Sequence, residues 1–157
     1  MVSPELLRRF RFFGGLNDAQ IRAISMISEE ETYEKGKTLI EECTPAETLF
    51  MLVDGSIDLF YRVVDEINLN PGPPKELTAG EVNPGEIFGV CAMVEPYTQN
   101  ATARTAIPSR IITINAIELR KLIEEDSDLA AKILKRIVES LMEQLIATRV
   151  QLAAAQS

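Results

Sequence analysis

Pro84-Gly85-Glu86-Ile87-Phe88-Gly89 and, after nine intervening residues, Gln99-Asn100-Ala101-Thr102-Ala103 are the stretches whose reading decides the fold. The first is a turn punctuated by two glycines that opens into a short helix. The second is the start of a strand. Free backbone N–H groups where Gly89-Val90-Cys91-Ala92 begins to coil favour an anion. Two readings follow: a phosphate or carboxylate site, or a turn that holds no ligand.

Outward from this segment the chain divides into three zones, 1–27, 28–114 and 115–157. The first is helical. Ser3-Pro4 reads as a cap with proline at the first helical position. Leu6, Leu7, Phe10 and Phe13 form one apolar face, which Gly14-Gly15 ends. Asn17 and Gln20 have capping-box spacing for a second helix carrying Ile21, Ile24 and Ile27.

The second zone is β-rich. Strands are expected over Thr38–Glu42, Leu49–Val53, Ser56–Val64, Glu76–Val82, Ala101–Ala106 and Arg110–Ile114. Lys35-Gly36-Lys37 and Cys43-Thr44-Pro45 mark turns, and Asp54-Gly55 has the signature of a hairpin. A proline-rich loop is expected over 68–75. Short strands at nearly regular spacing indicate a sandwich, jelly roll or barrel. The third zone is helical again. Asn115 with Glu118 has capping-box spacing, and Asp126-Ser127-Asp128 interrupts and caps anew. A long helix to about Ala154 follows. On it Leu134, Val138, Leu141, Leu145, Thr148 and Leu152 recur at alternating spacings of four and three. That is a coiled-coil seam, widened by Ile133, Ile137, Met142 and Ile146. One small β-roll cannot cover so apolar a helix, so a second copy of the chain is the expected partner.

Composition narrows the function. At 157 residues with 46% hydrophobic content, the chain is long enough for a packed core. Its net charge of -8 argues against a general nucleic-acid surface. There are no histidines, which removes Ser-His-Asp and Cys-His catalysis, histidine metal sites and histidine-ligated haem. No Gly-rich phosphate loop or nucleophile–base pair is present, so an enzyme is not expected. Cys43 and Cys91 are not a CxxC pair and read as free thiols of a cytoplasmic protein. Cys91 is either a thiol activated by the turn beside it or a small apolar core residue. No signal peptide or membrane-spanning run is expected.

The motifs resemble those of the cyclic-nucleotide-binding domain family, in order and spacing, over roughly residues 6–150. Phe12-Phe13-Gly14-Gly15-Leu16-Asn17-Asp18 is similar to the family's entrance motif. Tyr33-Glu34-Lys35-Gly36-Lys37 and Pro45-Ala46-Glu47-Thr48-Leu49-Phe50 are similar to its strand motifs. Asn83-Pro84-Gly85-Glu86-Ile87-Phe88-Gly89 is similar to the start of its phosphate-binding cassette. The resemblance implies an α+β fold: a double-stranded β-helix, or jelly-roll-like β-roll, flanked by N-terminal helices and a long C-terminal helix. It resembles the sensory domain of cyclic AMP receptor proteins.

The resemblance also implies a ligand site at Phe88, Gly89, Val90, Cys91, Ala92, Gln99, Asn100, Ala101 and Thr102. There the sequence departs from the family. The glutamate that holds the ribose is replaced by Val90. The arginine that holds the cyclic phosphate falls at Gln99, or at Asn100 in a register shifted by one. Losing one charge-assisted hydrogen bond weakens cyclic AMP or cyclic GMP by about 2 kcal/mol or more. Arg104 is the nearby cation, turned either into the site or to solvent. Cys43 stands where the family has a turn glycine.

The expected function is therefore that of a non-enzymatic regulatory domain with weakened or lost cyclic-nucleotide binding. It needs no cofactor or metal. It dimerises through Leu134, Val138, Leu141, Leu145 and Leu152 and acts on a protein partner, without touching nucleic acid or membrane. The alternative is the sensor of a transcription regulator, responding to a cyclic nucleotide or another small anion.

Overall fold

The computed structural model describes residues 1–63 and 75–157. Val64 and nearly all of the proline-rich loop expected over 68–75 lie outside the described residues. Three helical pieces lead: α1 (Pro4–Arg8), a 3-10 turn (Arg11–Phe13) and α2 (Asp18–Met26). Eight strands follow: β1 (Ser28–Tyr33), β2 (Thr38–Ile40), β3 (Thr48–Asp54), β4 (Ile57–Val63), β5 (Lys75–Val82), β6 (Ile87–Phe88), β7 (Thr102–Thr105) and β8 (Ser109–Asn115). A 3-10 turn, Val90–Met93, sits between β6 and β7. Helices α3 (Ala116–Glu125) and α4 (Ser127–Ala155) close the chain. The strands form two antiparallel four-stranded sheets, ordered β1-β8-β3-β6 and β2-β7-β4-β5. With helices at both ends, this is an α+β jelly roll.

The apolar run Leu49-Phe50-Met51-Leu52 does not alternate with polar residues because both faces of its sheet are covered. Leu49 and Met51 point to the helices, where they join Leu7, Ile21, Ile24, Leu119, Ile133 and Ile137. Phe50 and Leu52 point between the sheets, with Ile40, Ile57, Phe88 and Ile111. Strand β8 splits the same way, Ile112 and Ile114 to the helices and Ile111 to the interior. Phe50 and Phe88 stack with centroids 4.9 Å apart.

Some local expectations need correction. Leu6, Leu7, Phe10 and Phe13 do not share one helix, because α1 ends at Arg8 and Phe13 lies in the separate 3-10 turn. The Asp54-Gly55 turn is not a hairpin. It carries the chain from β3 in one sheet to β4 in the other, and the two strands do not pair. Gly55 makes the corner with φ +113°, so close to β8 that an added Cβ would lie 2.2 Å from the Ser109 hydroxyl oxygen.

The capping box at Asn17 and Gln20 is complete. At α3 only half of the expected box forms. Asn115 accepts from the Glu118 N–H at 3.1 Å, while the Glu118 carboxylate turns to Lys121. Asp126 caps α4, accepting from the Leu129 N–H at 3.1 Å. Its other oxygen accepts from the buried Gln20 carboxamide, which also donates to Asp128 at 2.9 Å. The start of α4 is thereby tied to the start of α2. Leu129, Ile133 and Ile137 then pack α4 onto the core, and beyond them the helix runs on with an exposed apolar side.

Candidate ligand cleft

The end of β6, the 3-10 turn after it and the chain leading into β7 meet on one side of the roll, beneath α4. Phe88 is buried and ends β6. Gly89 has φ +74°, and a Cβ there would come within 3.0 Å of Phe50 and 3.2 Å of Ile40. Glycine thus serves both the left-handed turn and the close packing beneath it. The following helix is a single 3-10 turn of four residues, shorter than the sequence suggested, and offers little aligned dipole for an anion.

Between these segments lies a cleft of about 240 Å³. Phe88, Gly89, Val90, Cys91, Gln99, Asn100 and Ala101 line it. Ala92 does not, being fully buried in the core beneath the helices. Neither does Thr102, whose hydroxyl faces the β2 end of the roll and accepts from the Glu42 N–H at 3.2 Å. The other walls come from distant parts of the chain: Ile40, Leu59 and Tyr61 from the strands, and Leu141 and Gln144 from α4. Sequence reading missed the α4 residues as cleft residues.

Gln99 and Asn100, the two positions read against the family's arginine, both line the cleft, and the Gln99 backbone is held firmly. Its N–H donates to Thr44 and its carbonyl accepts from Cys43, each at 2.8 Å. Only 6% of the residue is exposed. Cys43, with φ +67°, takes up the left-handed turn otherwise given to glycine. Both cysteines are free.

Among the described residues no charged side chain lines this cleft. Arg104 is turned away from it. Neighbouring side chains on a strand point to opposite faces, and Ala103 faces the cleft. On the other face the Arg104 guanidinium pairs with Glu76 at 2.7 Å and lies 5.0 Å over the Phe60 ring. The hydrogen bond from Arg104 holds the Glu76 carboxyl below its usual range, and Glu76 in turn raises the arginine.

Beneath the cleft, Arg120 of α3 holds the 3-10 turn from behind. It donates to the Ala92 carbonyl at 2.8 Å and to the Ala46 carbonyl at 2.7 Å.

The family model of the cyclic nucleotide-binding domain matches residues 30–126. A protein of Geobacter metallireducens described as a cyclic nucleotide-binding protein is 32% identical, with a TM-score of 0.79. The match covers 92% of this chain and 99% of that one. The N-terminal domain of a transcriptional regulator from Streptomyces coelicolor shares the fold at 22% identity and a TM-score of 0.66, over 88% and 93% of the two chains. The CRP-like cAMP-activated global transcriptional regulator of Mycobacterium tuberculosis is 22% identical over 137 residues, 87% of this chain and 58% of the relative. This chain thus spans less than two thirds of that relative's length. By the family match over the β-roll and α3, more than half of its length, the chain belongs to the cyclic nucleotide-binding domain family.

Proposed function

We infer that this chain is a non-enzymatic regulatory domain in which the cleft has lost ordinary affinity for cyclic AMP and cyclic GMP. The observation that carries this reading is that, among the described residues, no charged side chain lines the cleft, where Val90 and either Gln99 or Asn100 stand for the family's glutamate and arginine. A cyclic phosphate would leave water without a counter-charge, which is costly in a half-enclosed site. Residues 64–74 contain no lysine or arginine that could replace it.

The output is carried by α4. Leu134, Val138, Leu141, Leu145 and Leu152 are all exposed on one protomer, although they are large and apolar. Their spacing supports a two-stranded coiled coil with a second copy. Leu141 belongs both to this seam and to the cleft wall. Whatever enters the cleft therefore touches the dimerisation helix. A ligand that prefers one position of α4 would shift the helix toward that position, by as much as its affinities for the two positions differ. We place the protein in the cytoplasm, acting on a protein partner rather than on nucleic acid or membrane. Among the described residues no helix is long and apolar enough to cross a membrane.

A second reading is favoured by the relatives. The Mycobacterium tuberculosis protein is named a cAMP-activated transcriptional regulator, and the Streptomyces coelicolor structure is the N-terminal domain of another. On this reading the chain is the sensory portion of such a regulator, responding to a cyclic nucleotide or another small anion. Calorimetric titration with cyclic AMP and cyclic GMP separates the two readings.

A further inference from the structure

A second groove, of about 450 Å³, shares no residue with the cleft. It crosses β1, β8 and β3 at Glu29, Thr113 and Thr48, between the last turn of α2 and the first turn of α3. Backbone hydrogen bonds fix its shape. The Asn115 N–H donates to the Ile27 carbonyl at 2.9 Å, and the Ala116 N–H donates to the Glu47 carbonyl at 3.0 Å.

Two apolar side chains stand open on its walls. Met26 is 72% exposed at the end of α2, and Ile117 is 41% exposed in the first turn of α3. Methionine is unbranched and adapts to the surface it meets. The charge around them has one sign. Glu29, Glu47 and Glu118 line the groove, and among the described residues no lysine or arginine does. The end of α2 acts in the same direction, since its last carbonyls carry partial negative charge and its last turn has no basic residue. Glu29 pairs with the N-terminal ammonium at 2.7 Å, and Glu118 pairs with Lys121 at 3.3 Å. Both pairs lie in solvent, where an ion pair is weak and a competing cation displaces it at little cost.

We propose that this groove docks a segment of a protein partner in which lysine or arginine flanks an apolar side chain. The apolar side chain covers Met26 and Ile117, and the cations meet the three carboxylates. This deepens the reading that the chain acts on a protein partner, and it is independent of what the cleft holds. The probe is a capped leucine–lysine peptide, beside a leucine–glutamate control, titrated into the isotope-labelled full chain and followed by NMR. The leucine–lysine peptide should saturate and move the amides of residues 26–29, 47–48 and 113–118, and the control should move none of them. Glu47→Lys and Ile117→Asp, both at exposed positions, should each weaken the peptide by about fivefold or more. Glu143→Lys makes the same charge change on another groove and should leave the affinity unchanged. Shifts confined to α4, or equal affinities in Glu47→Lys and Glu143→Lys, overturn the inference. A change in sedimentation of peptide-free Glu47→Lys also overturns it, because a second copy of the chain would then be the occupant. None of these outcomes bears on cyclic AMP, whose titration judges the cleft separately.

Discussion

The Arg120 guanidinium lies 3.7 Å over the ring of Tyr97, with no carboxylate beside it in an ion pair among the described residues. Its hydrogen bonds go to two carbonyls, Ala92 in the turn under the cleft and Ala46 just before β3. Two segments far apart in sequence, around Ala46 and over residues 92–97, thus converge on one side chain of α3. The cleft floor and α3 are joined through it.

Removing Arg120 leaves two carbonyls without their donor and Tyr97 without its cation. Arg120→Ala should cost about 2–3 kcal/mol in urea unfolding. Arg120→Lys should recover only part of that, because an ammonium cannot present the planar fork that reaches both carbonyls. Hydrogen exchange should speed up over residues 90–98 in both variants. Stability equal to wild type in Arg120→Ala would show that the turn is held by other contacts.

Adjacent residues on α4 should separate folding from assembly. Ile137 is 3% exposed and packs on the core, whereas Val138 is 58% exposed and lies on the seam. Ile137→Ala should lower stability by about 2–4 kcal/mol. Val138→Asp should leave circular dichroism unchanged but give a monomer in sedimentation at micromolar concentration, because a coiled-coil seam does not tolerate a buried carboxylate. A wild-type protein that sediments as a monomer at high concentration would remove the proposed dimer.

The junction at the start of α4 should make stability depend on acid. Hydrogen bonds from the Leu129 N–H and then the Gln20 carboxamide hold the Asp126 carboxyl below its usual range. Lys132 and then Gln20 do the same for Asp128. Groups lowered by folding stabilise the protein above their unfolded pKa and lose that contribution as pH falls through the lowered value. The melting temperature of the wild type should therefore fall from about pH 5 to about pH 3. Asp128→Asn should melt lower than wild type at pH 7, and the gap should close toward pH 3. A gap that does not change with pH would mean that the Asp128 charge is not what ties α4 to α2.

Much of the roll could be read from local chemistry. The Asn17 cap, the Asp126 cap and the apolar strands each follow from a few adjacent residues. The apolar run Leu49–Val53 announced a strand, though not that both of its faces would be covered. Asp54-Gly55 misled because a turn dipeptide reports the bend and not which strands pair after it. At that corner Gly55 closely approaches Ser109, 54 residues further along the chain, which no local signal reports. The cleft was legible on the side made by the cassette, where glycine and strand signals lie close in sequence. Its α4 side was not, since heptad spacing marks a seam without saying which part of the roll lies under its edge. The face of Arg104 likewise awaited its neighbour Ala103 and its partner Glu76.

The central claim is that this cleft lacks the charge a cyclic phosphate needs. The most direct measurement is calorimetric titration of cyclic AMP into the wild-type protein and into a variant carrying Val90→Glu and Gln99→Arg. The account predicts no saturable heat from the wild type at millimolar cyclic AMP. It predicts a gain of about tenfold or more in the variant, from the restored charged hydrogen bond. Saturable micromolar binding by the wild-type protein would contradict it.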